Sequence, residues 1–149
     1  QLIRIARTND GTVDKLIGDS MMVVWGNPIF IEDHAKRAVE SAIEMQAMMQ
    51  ALKTKWQQKL NINIQLGIGI NTDEVVAGTI GSKEFSDYTV LGSGVNLASK
   101  LESICPGDLI VVSETTRNIL KDTFSFKKLG NLKKKNNGGT TTPVFKLIQ

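Results

Sequence analysis

The chain has 149 residues, 41% of them hydrophobic and 22% charged, with a formal net charge of +3 and a pI of about 9.0. That length suits one domain with its own core, and the composition is that of a globular protein rather than a disordered or fibrous one. No uninterrupted apolar run approaches the roughly 18 residues of a membrane-spanning helix.

The opening stretch, QLIRIARTND, carries two arginines and no cleavage-like site, so no signal peptide is expected. Leu2, Ile3 and Ala6 read as the tail of a helix. Residues 8–11 then form a polar entry to two short runs, 13–17 and 21–25, parted by Gly18-Asp19. Two such runs about a Gly/Asp pair predict a β-hairpin with an acid at its tip. Aspartate at a tip ordinarily serves the turn itself. Asn27-Pro28 breaks the second strand, and Glu32, Asp33 and His34 lead into a helix reaching about Trp56. Its apolar positions recur every three or four residues, and the acids at its start suit the helix dipole. Met45, Met48 and Met49 read as core filling. His34 has no cysteine or second histidine nearby, so it reads as a helix-start residue rather than a zinc ligand.

Residues 62–70 alternate as a strand, with Gly67 and Gly69 marking a face of close approach. Residues 71–74 read as a turn and 75–80 as the second strand of a hairpin with the one before; a third run, 87–91, ends at Gly92. Ser93-Gly94 opens a helix with Val95, Leu97, Ala98 and Leu101 as its apolar positions, closing before Cys105-Pro106-Gly107. Cys105, the single cysteine, is read as a small apolar loop residue in a reducing compartment. Residues 108–112 form a strand, Ser113 caps a short helix with Glu114 in its first turn, and Phe124, Phe126 and Leu129 alternate as a strand. Residues 133–142 read as a loop and 144–148 as a closing strand. Lys127, Lys128, Lys133, Lys134 and Lys135 cluster here, but no aromatic residues are interleaved to stack on bases, so solvated lysines are favoured over a nucleic-acid surface. No repeat or linker interrupts this order, which predicts an α+β sandwich with helices on one sheet.

Three stretches carry more than fold: DKLIGDSMMVVWG at 14–26, GIGINTDEVVAGTIGS at 67–82, and DYTVLGSGVNLASKLE at 87–102. In that order and spacing they closely resemble the catalytic domain of class III nucleotidyl cyclases, which make cyclic AMP or cyclic GMP. The resemblance covers nearly the whole chain, and the third stretch is the most specific. It implies a ferredoxin-like βαββαβ sandwich over residues 1–149. The family's first strand is expected ~45 residues before this sequence, by the usual lengths of a strand and two helices, so the domain is expected to be N-terminally truncated.

The resemblance implies attack of a ribose 3′-hydroxyl on the α-phosphate, assisted by two Mg²⁺ or Mn²⁺ ions. In the family two aspartates on adjacent strands hold the metals. Asp19 matches the second, a hard carboxylate suited to such ions, and the first would lie on the missing strand. Lys15 matches the position that reads the purine: it can donate to adenine N1, where guanine presents a donor. Guanylyl members resemble one another in having Glu there. Thr89 matches its partner, with a hydroxyl that can accept from the exocyclic amine of adenine. Asn96 matches the asparagine that positions the ribose. Lys100, four residues on and on the same helix face, stands in place of an arginine that stabilises transition-state charge. Lys135 falls about where a triphosphate-binding lysine is placed; the usual Lys-Gly pair is absent, so Lys133 and Lys134 remain rivals.

Three departures accompany the match. The first metal aspartate is missing. Lys100 lacks the planar fork of arginine. Asp73 follows Asn-Thr where glycine is usual, a turn position expected to favour positive φ at a cost of ~1 kcal/mol. Family members pair head to tail, each active site taking metal ligands from one domain and residues of the Lys15 and Asn96 type from the other, so a homodimer is expected. Gly67, Gly69 and Gly78 are candidates for close backbone approach in the sheet. The implied protein is an adenylyl cyclase, a soluble cytoplasmic domain of a larger regulated protein. The alternative is a weak or silent homologue acting as a nucleotide-binding or dimerisation module, favoured by Lys100 and the missing strand. Guanylyl cyclase activity is disfavoured by Lys15.

Overall fold

The computed structural model describes residues 1–61, 63–82, 84, 86–133 and 141–148. The chain opens on helix α1 (Leu2–Thr8), a helix as expected; Ile5 and Ala6 are buried, whereas Ile3 is exposed. Strands β1 (Thr12–Ile17) and β2 (Ser20–Val24) pair antiparallel and form the predicted hairpin. Gly18, at φ +62, makes the two-residue turn with Asp19, a left-handed conformation that costs glycine little. The Trp25 indole donates to the Asn9 carbonyl at 2.8 Å and anchors the hairpin to the end of α1.

Helix α2 (His34–Leu60) begins at His34 as predicted but runs four residues past Trp56. Asn61, at φ 55, supplies the left-handed stop that tryptophan cannot. Asp33 makes no cap bond; its carboxylate instead accepts from Arg37 Nε at 2.7 Å, while Arg37 also pairs with Asp10. Met45 lies in a core cluster with Ile5 and Ala6, against which Val13, Met21, Val23 and Met48 pack, so the hairpin and the first two helices share one apolar core.

Of the run at 62–70, the described residues form a strand only over β3 (Ile68–Ile70). Just before it, the Leu66 carbonyl accepts from the Asp108 amide and from Gln46 Nε2, while the Leu66 amide donates to Asp108 Oδ1. With these groups met locally, the ladder has no partner to extend to. Nor does β3 form a hairpin with the next strand. It pairs parallel with β6 (Ile110–Ser113), whereas β4 (Val76–Gly81) pairs antiparallel with β5 (Ser86–Leu91). Alternation predicts strands, not their partners.

Helix α3 (Ser93–Ser103) follows β5, and α4 (Glu114–Leu120) follows β6. Ser113 caps α4 as expected, accepting from the Thr116 amide at 3.3 Å. Strands β7 (Phe126–Lys133) and β8 (Thr141–Leu147) complete a sheet of order β3-β6-β8-β7. Lys133, Thr141 and Thr142 of the predicted loop thus lie in strands, and residues 134–140, Lys134 and Lys135 among them, lie outside the described residues.

This sheet carries helices on both faces. Ile110, Val112 and Leu147 face Ala35, Val39 and Ala42 of α2 and Leu120 of α4; Val111 and Val144 face Leu101 of α3. Covering both faces explains why all four residues of β6 are buried. Gly69 permits α3 to approach: a Cβ there would lie 2.3 Å from the Glu102 amide nitrogen and 2.7 Å from the Ala98 oxygen. Gly67 faces Cys105 in the same way, more loosely, but Gly78 has nothing within 4 Å of such a Cβ, so no close approach is made there within the chain. Cys105 packs beside the α3 core and donates to the Leu109 carbonyl; burial pushes its thiol up from the ordinary range. Lys53 binds Asp108 at 2.7 Å and holds that carboxyl below the usual range, tying α2 to the turn before β6. Among the described residues no helix is long and apolar enough to cross a membrane.

Candidate active site

Two hairpins and one helix carry the residues in question. Strand β1 bears Asp14 and Lys15, and the β1–β2 turn bears Asp19. Strand β5 bears Asp87, Tyr88 and Thr89, and α3 bears Asn96 and Lys100. The ladder between β1 and β2 shifts register between Val13 and Lys15, so Asp14 is the extra residue of a bulge. The bulge turns the Asp14 side chain inward, leaving it only 6% exposed.

There the two hairpins are joined by polar contacts. The Thr89 hydroxyl donates to Asp14 Oδ2 at 2.9 Å, and Lys15 Nζ lies 3.4 Å from the same oxygen. Lys15 also pairs with Asp87 Oδ2 at 3.6 Å, and the Tyr88 hydroxyl donates to Asn27 Oδ1 at 3.1 Å. Lys15 and Thr89, 74 positions apart in sequence, are therefore brought together with Asp14 between them. Thr89 is buried, while Lys15 keeps about a third of its side chain open to solvent.

Asn96 and Lys100 share an exposed face of α3, one turn apart, because Gly94 and Leu101 turn the opposite face to the protein. The Asn71 side-chain amide donates to the Gly94 carbonyl at 3.0 Å and fixes the start of this helix. Asp73 packs against Gly94 but has no positive φ, so the strain expected from replacing glycine is absent. Its carboxylate accepts from the Glu74 amide at 2.9 Å and closes a local turn.

Asp19 stands exposed at its hairpin tip. Among the described residues, the side chains of Asp19, Asn96 and Lys100 have no hydrogen bond or ion pair, and nothing links them to the Lys15–Thr89 pair within the chain. Lys135 lies outside the described residues, and Lys133 is exposed at the end of β7. No group of three or more His, Cys, Asp or Glu side chains among the described residues could enclose a metal. The exposed Asp19 carboxylate nevertheless fits a Mg²⁺-type ion, which takes one or two protein carboxylates and completes its shell with phosphate and water oxygens. Asp14 and Asp87 are the contacts that sequence reasoning missed. Asp14 stands in a quoted stretch, but only the bulge shows that it points inward.

Over residues 4–147 the chain matches the family model described as the adenylate and guanylate cyclase catalytic domain. It is 27% identical over 146 residues to adenylate cyclase 1 of Rhizobium meliloti, covering 97% of this chain and 22% of that protein. It is 33% identical over 147 residues to the guanylate cyclase soluble subunit beta-2 of Rattus norvegicus, covering 98% of this chain and 21% of the subunit. The chain thus spans about a fifth of the length of these relatives. Among solved structures, the adenylyl cyclase CyaB from P. aeruginosa superposes with a TM-score of 0.93 at 30% identity, over 99% of this chain and 76% of that one.

Proposed function

Because the chain belongs to the adenylate and guanylate cyclase catalytic-domain family, we propose that it is the catalytic domain of an adenylyl cyclase, converting ATP to 3′,5′-cyclic AMP and pyrophosphate. Its relatives include both adenylate and guanylate cyclases, so the choice of ATP rests on this chain's own base-reading pair. The observation that carries it is Lys15 beside Thr89, an ammonium donor and a hydroxyl oxygen held at one place. Adenine offers a matching acceptor at N1 and donor at its amine; guanine offers the reverse.

In the reaction a bond forms between the ribose 3′-oxygen and the α-phosphorus, the bond from phosphorus to pyrophosphate breaks, and the 3′-hydroxyl proton passes to water. Asn96 orients the ribose. Lys100 places positive charge beside the phosphorane-like transition state, and Lys135, or Lys133 or Lys134 beside it, holds the triphosphate. Asp19 would hold Mg²⁺ or Mn²⁺, two ions per site, which when bound neutralise phosphate charge and activate the nucleophile. Separation of Asp19 from Asn96 and Lys100 within one chain supports a homodimer whose sites lie between protomers. Residues 1–149 act as one catalytic unit within a longer regulated protein.

The test is cyclic nucleotide formation by the intact protein, from ATP and GTP separately, with Mn²⁺. Cyclic AMP from ATP, abolished by Asp19→Ala, is the expected result. Preferential use of GTP would overturn the assignment. A folded dimer that binds ATP yet makes no product would favour the second reading, a silent nucleotide-binding module, for which Lys100 in the place of arginine is the supporting observation.

A further inference from the structure

The carboxylate of Asp14 is the most enclosed acid at the site, and the proposed reaction gives it no role. It belongs to no helix cap and no turn. A bulge, which costs the hairpin one rung of its ladder, delivers it to the Thr89 hydroxyl at 2.9 Å and to Lys15 at 3.4 Å. Such a bulge re-aims a side chain, and what it aims here is an acceptor with no proton to give.

A threonine hydroxyl is by itself ambiguous: one proton to donate and two lone pairs that accept. Free to rotate, it would accept from the amine of adenine or donate to the carbonyl oxygen of guanine with little preference. Bonded to Asp14, its proton is spent, and the oxygen presents lone pairs only. The same carboxylate, with Asp87 at 3.6 Å, braces the Lys15 ammonium from the protein side. Gly78 is the cross-strand neighbour of Thr89, and a Cβ there would meet nothing within 4 Å.

We propose that Asp14 is a positioning residue for base selection: by taking the Thr89 proton and bracing Lys15, it fixes the pocket as acceptor and donor in the order that adenine complements and guanine opposes. This rests on the reading of Lys15 and Thr89 as the base-contacting pair. Asp14 itself touches neither base nor phosphate.

The test is the ratio of kcat/KM for ATP to that for GTP, in the intact protein and in Asp14→Asn, Asp14→Glu, Thr89→Val and the Asp14→Asn/Thr89→Val double variant. Asparagine can donate as well as accept, so it no longer holds the threonine proton to a single arrangement. The ratio should fall about tenfold in Asp14→Asn, the loss of one charge-assisted hydrogen bond of about 1.4 kcal/mol. The fall should come through KM, and Asp14→Asn should lower the ratio less once Thr89 is valine, by no more than the bracing of Lys15 contributes. A purely structural role would lower kcat for both nucleotides together and leave the ratio alone; that result, in a wild type that prefers ATP, overturns the proposal while the adenylyl assignment stands. A wild type that prefers GTP defeats the underlying reading instead. Should Asp14→Asn not fold, Asp14→Glu carries the test, since its longer side chain displaces the carboxylate: an altered ratio supports the proposal and an unaltered one overturns it.

Discussion

Lys100 occupies an exposed position one turn after Asn96 on α3, with no acid holding it among the described residues. An ammonium there is a compact, mobile point charge; a guanidinium presents a rigid fork that meets two phosphate oxygens at once. If Lys100 acts where charge develops, the fork should gain most in the transition state, where that charge is greatest. Lys100→Arg is therefore predicted to raise kcat about tenfold with little change in KM for ATP, measured by steady-state cyclic AMP formation. An unchanged kcat would remove Lys100 from the proposed role. At this scale Lys15, Thr89, Asp19, Asn96 and Lys100 were singled out through the family resemblance of the stretches that carry them, and of these the structure brings Lys15 and Thr89 together. Asp14 was not singled out. A bulge leaves no mark on the alternation of a six-residue strand, and the partner that gives the carboxylate its meaning lies 75 positions away.

Between elements, the most restrictive contact is that of α3 on β3. The Gly69 backbone sits so close to α3 that any side chain would collide with main-chain atoms of Ala98, Leu101 and Glu102. Main chain cannot move aside as a flexible side chain can, so relief requires lifting the whole helix and with it Leu97 and Leu101 from the core. Gly69→Ala is predicted to destabilise by about 2 kcal/mol, roughly 6 °C in Tm, and to reduce activity by displacing Asn96. Gly78→Ala, which meets no atom, is the matched control and should shift Tm by less than about 2 °C; thermal melts followed by circular dichroism compare the two. A Gly69→Ala protein that melts with wild type would show that this packing is not maintained in solution. The glycine pattern LGIGI announced a close approach, yet not its direction, because the helix that covers Gly69 begins 24 residues later. The same blindness to long-range pairing produced the false hairpin between residues 62–70 and 75–80. Local hydrophobic periodicity was sufficient for α2, α3 and β6, and it failed where a strand's partner was distant.

For the whole molecule, the deciding fact is the distribution of exposed groups. Asp19 projects from one hairpin tip, Asn96 and Lys100 from a helix face, and among the described residues no hydrogen bond or ion pair joins Asp19 to either. Large apolar side chains lie open on the same hairpins: Leu16 and Ile17 on β1, Val76 on β4, Tyr88 and Leu91 on β5. Exposed apolar surface of that extent, next to polar groups that need a common substrate, is what an interface between two copies requires. The head-to-tail pairing proposed above makes a quantitative prediction. Asp19→Ala and Asn96→Ala should each abolish cyclic AMP formation as homodimers. Mixed in equal amounts and allowed to exchange, half of the dimers become heterodimers. Each heterodimer holds one doubly altered site and one intact site, so activity should return to about a quarter of wild type. If each protomer instead formed a complete site from its own Asp19 and Asn96, every site in the mixture would carry a lesion and no activity would return. Size-exclusion chromatography of the mixture, run beside the assay, confirms that a lack of recovery is not a failure to exchange.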